Sequence, residues 1–426
     1  MNRPALLSLT DALPQLLSHA QPLNGVDVVS TFDADGRVLA QDVVSALQVP
    51  PQDNSSMDGY AVRVADCASG QAVLRVTQRI PAGAHGVALH AGEAARIFTG
   101  APIPPGADAV VMQEDCEAFA GDQVKVLKAP NPGQWIRRSG EDVSRGDKVL
   151  TMGMRLNPAA LGLAASVGLA SLQVAKRPKV ALFSTGDELV MPGEVAPEHM
   201  APGAIYNSNR FFLRAMLQRL GCEVSDLGIV PDQREATLQA LQQAAQSHDL
   251  ILTSGGVSVG EEDHIKPAVQ ALGELNLWQL AIKPGKPFAY GSVRRQNNPL
   301  SNNAGDAQAA TATSCHFMGL PGNPVSSFVT FLLLVRPFVL ALQGASQTDI
   351  VRTNMTAHFD WPRADKRREF LRVRRNGQGG LDLFPNQSSG VLTSAVWGDG
   401  VIDNPAGQTI AKGDTVQFIS FAEWLA

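Results

Sequence analysis

Four short loops carry the residue types best suited to handling an anion. They are Ser184-Thr185-Gly186-Asp187-Glu188, Ser254-Gly255-Gly256-Val257-Ser258-Val259-Gly260, Lys283-Pro284-Gly285-Lys286-Pro287 and Leu320-Pro321-Gly322-Asn323-Pro324. In the second, small residues let backbone N–H groups approach an anion without Cβ obstruction, and a helix starting behind the loop adds its dipole. A tight turn has the same composition, but Asp263 and Lys266 close behind favour a phosphate-plus-metal site. The fourth loop runs into Val325-Ser326 and reads as a second anion site at a helix start or as a rigid strand-to-helix turn. Lys283 and Lys286, held by two prolines and a glycine, place two ammonium groups near one point, which suits neutralising a polyanion; solvated lysines are the alternative. Glu188, Asp187, Asp232 and Asp263 offer hard oxygen donors that suit Mg²⁺ bridging phosphates better than a soft metal. Asp187 serves equally well as a cap.

These loops share a crevice if each follows a strand of one sheet, because ligands of open α/β sheets bind beyond the carboxyl ends of the strands. Residues 177–345 have the required rhythm. Strands are expected at Val180–Phe183, Val224–Val230, Leu250–Thr253, Leu280–Ile282 and His316–Gly319. Between them a helix follows Asn207-Ser208, with Phe212, Met216 and Leu220 on one face, and another covers Glu235–Ala245. An apolar helix begins at Val325, and the alternation argues a parallel, doubly wound sheet covered on both faces.

Around this segment the text is different. Residues 49–139 are short β-branched runs broken by Gly, Pro and Asp, a β-rich module. Within it Asn54-Ser55-Ser56-Met57-Asp58-Gly59-Tyr60-Ala61 crowds polar side chains around a Met, and Thr99 to Asp108 is rigid, small and polar. Residues 1–48 and 140–176 form a discontinuous mixed α/β module in which a helix over Leu156–Ala170 packs back on the opening segment. Residues 346–426 return to short strands, expected at Phe370–Val373, Val391-Leu392 and Val416–Ile419. The strip Lys366-Arg367-Arg368, Arg372, Arg374-Arg375 there reads as a solvated strand face, with oxyanion attraction as the minority reading. Arg294 to Thr313 has nothing to bury and reads as a surface insertion.

Bulk properties narrow the function. The 426 residues carry 35 Lys+Arg against 40 Asp+Glu, a formal charge of −5, which argues against a globally basic nucleic-acid binder. The 39 Gly and 27 Pro point to many shaped turns rather than disorder. Cys67, Cys116, Cys222 and Cys315 form no metal or disulfide pattern, which fits a reducing cytoplasm, and no HExxH supports a zinc hydrolase. Met1 to Leu16 lacks the apolar run of a secretory signal, and Val325 to Leu342, interrupted by Ser, Thr, Arg336 and Pro337, reads as a buried helix rather than a membrane span.

Taken in order, the Asn54–Val62 run, Thr99–Asp108 and the four loops make the chain resemble the molybdopterin molybdenumtransferase family, called MoeA in bacteria and related to the gephyrin E domain. The resemblance covers nearly the whole chain. It implies an α/β and β multidomain protein: a doubly wound molybdopterin-binding α/β domain, β-rich domains and a C-terminal β-barrel. It also implies a homodimer whose active cleft lies between the third domain of one subunit and the second domain of its partner. The implied reaction inserts molybdate into adenylylated molybdopterin, releasing AMP, with Mg²⁺ as cofactor.

Carried over position by position, the resemblance makes Asp58, Thr99, Glu188, Asp232, Asp263, Lys283 and Lys286 the functional residues. Glu188 and Asp263 would hold Mg²⁺, and Ser254, Gly255, Gly256, Ser258 and Gly260 would grip a phosphate beside Pro321, Gly322, Asn323, Pro324 and Ser326. Both lysines would attract molybdate, Asp58 and Thr99 would enter from the partner subunit, and Arg372 and Ser389 are further oxyanion candidates. A molybdopterin adenylyltransferase and molybdoenzyme chaperones are the implied protein partners, with neither nucleic acid nor membrane. Two rivals share parts of the pattern: a molybdopterin adenylyltransferase, which does not need the second and fourth modules, and a non-catalytic gephyrin-like scaffold. The Arg294–Thr313 insertion departs from the family pattern.

Overall fold

Alternating side chains of one strand point to opposite faces of a sheet, so a strand apolar at every position must be covered on both sides. Such strands build the centre of the protein, whose computed structural model describes residues 6–68, 70–256, 264–295 and 314–425. The sheet that they centre comprises β1 (Lys179–Thr185), β2 (Glu223–Val230), β3 (Leu250–Ser254), β4 (Gly273–Gln279), β5 (Pro287–Arg294) and β6 (Ser314–Leu320), in the order β2-β1-β3-β6-β5-β4. The first four in that order run parallel, whereas β5 and β4 are antiparallel additions. Val180, Leu182, Leu250, Leu252, Met318 and Leu320 face one apolar core, and Ala181, Phe183, Ile251 and Phe317 face the other. Each fully buried large side chain here contributes about 1.5–3 kcal/mol.

The first core is covered by helices Asn209–Arg219 and Pro324–Leu342, and the second by Arg234–Ser247 and Ile265–Leu272. The helix after Asn207-Ser208 ends at Gly221, whose φ is +83°. Pro324–Leu342 is long and apolar enough to cross a membrane, yet 94% of its most apolar window is buried inside the protein, as a core helix is.

Two expectations are corrected here. Leu280–Ile282 is not a strand of this sheet: β4 and β5 take that edge, and Ile282–Lys283 pairs instead with Arg368–Arg375 of the C-terminal region. The helix Leu9–Leu17 does not join the opening module, because Leu9, Ala12 and Leu16 are buried in the first core of the central sheet.

The remaining cores are smaller. Ala34, Leu39, Val43, Val143, Leu150, Leu156, Ala160 and Val174 form one core from two separate stretches of chain, and the helix Pro158–Ser166, capped by Asn157 Oδ1 on the Ala160 N–H (2.9 Å), belongs to it. Residues 59–126 fold as a six-stranded mixed sheet. In the C-terminal region the strands Thr353–Ala357, Arg368–Arg375, Gly380–Leu383, Gly400–Asn404 and Thr415–Ser420 close into a five-stranded barrel. Val391-Leu392, expected as a strand, instead leads into the short helix Thr393–Trp397. Residues 296–313 of the expected insertion lie outside the described residues.

The aromatic cluster between the opening helix and the sheet gives the fold a pH signature. His316 accepts or donates a 3.1 Å hydrogen bond with the Tyr290 hydroxyl and packs edge-on against Phe338 at 5.0 Å. Burial pushes its pKa down from 6.5 to about 4. Above 6.5 both folded and unfolded chains are neutral here, and between 6.5 and 4 only the unfolded chain takes up the proton. Stability therefore falls as pH drops through that window. His316→Gln is expected to flatten part of this slope in thermal melts collected from pH 7 to pH 4, and an unchanged slope would remove His316 from the account.

Candidate functional site

Parallel pairing places Ser254 opposite both Ser184 and Leu320, so the loops after β1, β3 and β6 leave the sheet side by side. They enclose a cleft of about 520 Å³ lined by Thr185, Glu188, Asn207, Asn209, Asp232, Ser254–Gly256, Pro287 and Pro321–Pro324 with Ser326. Ten of the expected site residues thus meet in one place: Glu188, Asp232, Ser254, Gly255, Gly256, Pro321, Gly322, Asn323, Pro324 and Ser326. Ser258, Gly260 and Asp263 lie outside the described residues.

Gly255 shows why the second loop is glycine-rich. Its φ is +93°, and a Cβ there would stand 2.9 Å from the Thr185 carbonyl oxygen. The loop therefore lies against the end of β1. At the fourth loop Pro324 opens the helix, and the Val325 N–H donates to the Ser389 carbonyl (2.9 Å), so the first free amide of that helix start is already used by the barrel.

Two asparagines prove central to the cleft: Asn207, which the sequence offers as a helix start, and Asn209, which no sequence signal singles out. Asn209, 7% exposed, donates through Nδ2 to the Ser254 hydroxyl and to the Gly322 carbonyl, both at 2.7 Å, tying the second loop to the fourth. Asn207, 2% exposed, accepts the Arg210 N–H through Oδ1 at 3.3 Å. Its Nδ2 and the Asn209 Oδ1 are buried without a partner, ready for a ligand. Asn209 is the first residue of its helix, and only the fold turns its amide toward the glycine loops.

The electrostatics of the cleft are unusual for an anion site. Glu188 and Asp232 are its charged lining residues, and no Lys or Arg lines it among the described residues. Hard carboxylate oxygens beside neutral amides and hydroxyls fit Mg²⁺, which an anionic ligand would need here. Among the described residues no group of three or more His, Cys, Asp or Glu could hold a metal; the expected second ligand, Asp263, lies outside them.

Lys283 and Lys286 do not line the cleft. The Lys283 ammonium is held by Glu369 (3.0 Å) and Asp365 (3.4 Å) of the barrel, so it is not one of two solvated cations. Lys286 is exposed, next to the cleft residue Pro287. The basic strip is a solvated face only in part: Lys366, Arg374 and Arg375 are exposed, whereas others in it are engaged. Arg368 and Arg352 bind Asp403, 2% exposed, and Arg372, 1% exposed, donates to the Ser394 hydroxyl and the Phe370 and Ser388 carbonyls. Burial pushes the Arg372 pKa down to about 10.

Asp58 and Thr99 meet each other, away from the cleft lining. Asp58 Oδ1 accepts the Thr99 N–H and the Thr99 hydroxyl, both at 2.8 Å, and these bonds hold its carboxyl below the usual range. Their loops are laced together: Ser55 donates to the Ala101 carbonyl, Gly100 to the Ser55 carbonyl and Ile103 to the Asp53 carbonyl. The Trp135 carbonyl accepts both the Ser56 N–H (3.0 Å) and its hydroxyl (2.9 Å). Arg96, which the sequence reading did not single out, donates to the Gly59 carbonyl at 3.0 Å and stacks over Tyr60 and Phe98.

The site and its sheet define a multidomain α/β protein with a ligand cleft at the carboxyl ends of parallel strands. Comparison with known families gives three matches in chain order: "MoeA N-terminal region (domain I and II)" over residues 7–168, "Probable molybdopterin binding domain" over 181–341 and "MoeA C-terminal region (domain IV)" over 354–421. The chain is 36% identical to a molybdopterin molybdenumtransferase of Haemophilus influenzae, covering 98% of this chain and 99% of that one. A Nostoc protein of the same name is 32% identical over 97% of this chain and 93% of its own. The solved structure of a molybdopterin biosynthesis moeA protein from Pyrococcus horikoshii superposes with a TM-score of 0.81 at 27% identity, covering 98% of this chain and all of that one. The chain belongs to the MoeA family of molybdopterin molybdenumtransferases.

Asn209→Ala removes the donor shared by Ser254 and Gly322 and is expected to cost about 1–3 kcal/mol in urea unfolding. Asn209→Asp should cost more, since it sets a carboxylate against the Gly322 carbonyl. Equal stability of all three proteins would show that Asn209 ties nothing together.

Proposed function

We propose that this protein is a transferase that inserts molybdenum into molybdopterin, taking molybdate and adenylylated molybdopterin as substrates and releasing AMP. The observation that carries this reading is the cleft itself: two glycine-containing loops and two buried asparagines surround a space whose charged lining residues are carboxylates. An adenylylated pterin brings a phosphoanhydride and polar heterocycles to such a lining. The presence of both flanking MoeA regions favours this reading over an adenylyltransferase.

In this reading the chain's own groups divide the work. The Ser254–Gly256 loop approaches phosphate oxygens closely, and the Asn207 and Asn209 amides offer one donor and one acceptor to the bound substrate. Glu188 and Asp232, with Asp263, are the residues that would hold Mg²⁺. When bound, that ion would offset phosphate charge during cleavage of the phosphoanhydride. Lys286, exposed beside Pro287, would attract molybdate at the rim. Asp58, kept ionised by Thr99, would complete the cleft from the second subunit of a homodimer.

The test is release of AMP from adenylylated molybdopterin by purified protein, with molybdate and Mg²⁺ added or withheld, scored together with activation of a molybdenum-free apoenzyme. Release is expected to require molybdate and to fall sharply in EDTA. Glu188→Gln is expected to lower the rate by about 10²-fold or more, the scale of losing one charge-stabilising group. Molybdate-independent AMP release, or a Glu188→Gln protein with full activity, would contradict the assignment.

A further inference from the structure

Lys283 belongs to a loop that leaves one sheet and enters another. Ile282–Lys283 runs parallel to the barrel strand Arg368–Arg375, with Lys283 opposite Glu369, and the Arg368 N–H donates to the Ala281 carbonyl at 2.9 Å. Four residues later Pro287 lines the cleft and starts β5. The Leu280 N–H donates to the Lys286 carbonyl at 2.7 Å and closes the loop on itself. At its apex a Cβ on Gly285 would fall 2.3 Å from Thr330 Oγ1, so the loop lies tight against the helix whose first turn holds Ser326 of the cleft.

Glu369 is built to hold this loop from the barrel side. Its side chain is 1% exposed, and one oxygen accepts the Lys283 ammonium at 3.0 Å while the other accepts the Trp361 indole N–H at 2.8 Å. Asn404 adds a longer contact at 3.5 Å. Asp365, 3.4 Å from the same ammonium, is shared with Arg367 at 2.9 Å, so two cations face two carboxylates across the junction. A buried carboxylate in such a set is costly to leave unpaired and has few alternative geometries. Its ties to Trp361 and Asn404 fix it to the barrel, and its tie to Lys283 fixes the loop.

We propose that Glu369 is a positioning residue for the transferase: through Lys283 it locks the 283–287 loop, so that the docked barrel sets where Lys286 and Pro287 stand at the cleft. The proposal rests on the molybdenum-transfer reading for its kinetic consequence, and its structural half is independent of that reading. Lys283 then acts as the loop's latch rather than as a free cation.

The test is Glu369→Gln, which keeps an acceptor for Trp361 and removes the negative charge that faces Lys283. Two measurements are made: the KM for molybdate against kcat in AMP release, and amide hydrogen exchange by peptide across the chain. The KM is expected to rise about 10-fold, the scale of one lost net interaction, with kcat changed much less. Exchange is expected to speed up in peptides spanning 280–290, with the barrel strand Thr415–Ser420 unaffected. A merely structural role would lower the active fraction without moving KM and would loosen the barrel itself. An unchanged KM, or unchanged exchange at 280–290, overturns the proposal. Should Glu369→Gln fail to fold, Lys283→Gln breaks the latch from the loop side and must give the same faster exchange. If the wild-type protein shows no molybdate-dependent release, the transfer reading fails, and the exchange experiment still decides the latch.

Discussion

The parallel register of β3 and β6 is the constraint on which the site depends. Because Ser254 pairs with Leu320, two loops rich in glycine and proline must emerge next to each other at the same edge. Backbone pairing alone leaves their tips free. The Asn209 amide removes that freedom by donating to one group from each loop. Its burial makes the two bonds hard to exchange for water, so the separation of the loops is fixed before any ligand arrives. What remains unsatisfied around it, the Asn207 Nδ2 and Asn209 Oδ1, is polar capacity that a ligand can use.

A second set of ties connects this edge to the barrel. The Ser389 carbonyl takes the Val325 N–H at the start of one cleft helix, and Glu369 takes the ammonium of the loop that leads to Pro287. The apolar side of the same junction is continuous: Phe370, Val401, Ile419, Phe421 and Trp424 of the C-terminal region lie in the same core as Leu182, Leu252 and the helix Pro324–Leu342. A barrel packed this way is part of the cleft's framework rather than an appendage. Arg372 shows the cost accepted there, a guanidinium buried among carbonyls and a hydroxyl beside the Ser388–Ser389 turn.

Much of the fold was legible in the sequence because its strongest signals are local. Ala109–Met112 reads as a strand from its β-branched run, and Pro158 marks a helix start through its fixed φ. The carboxyl-end loops carried their own composition, so ten residues of the cleft could be named in advance. What local signals could not carry is partner choice. Leu280–Ile282 is as apolar as a central strand, yet its neighbour in space is a barrel strand 86 residues on in sequence. Lys283 and Lys286 look alike by spacing, and Glu369 with Asp365 separates the latched lysine from the exposed one. Asn207 reads as a capping residue because the amide chemistry of a cap and of a ligand site is the same, and Asn209 carries no local signal at all.

The central claim is that the pterin substrate sits between the two glycine loops held by Asn209. Its most direct test is a crystal structure of the protein with molybdopterin and Mg²⁺. The account predicts the ligand against Ser254–Gly256 and Pro321–Ser326, with the Asn207 amide donating to it and Glu188 and Asp232 facing its charged end. Molybdopterin bound elsewhere on the protein, with the cleft holding only water, would contradict it.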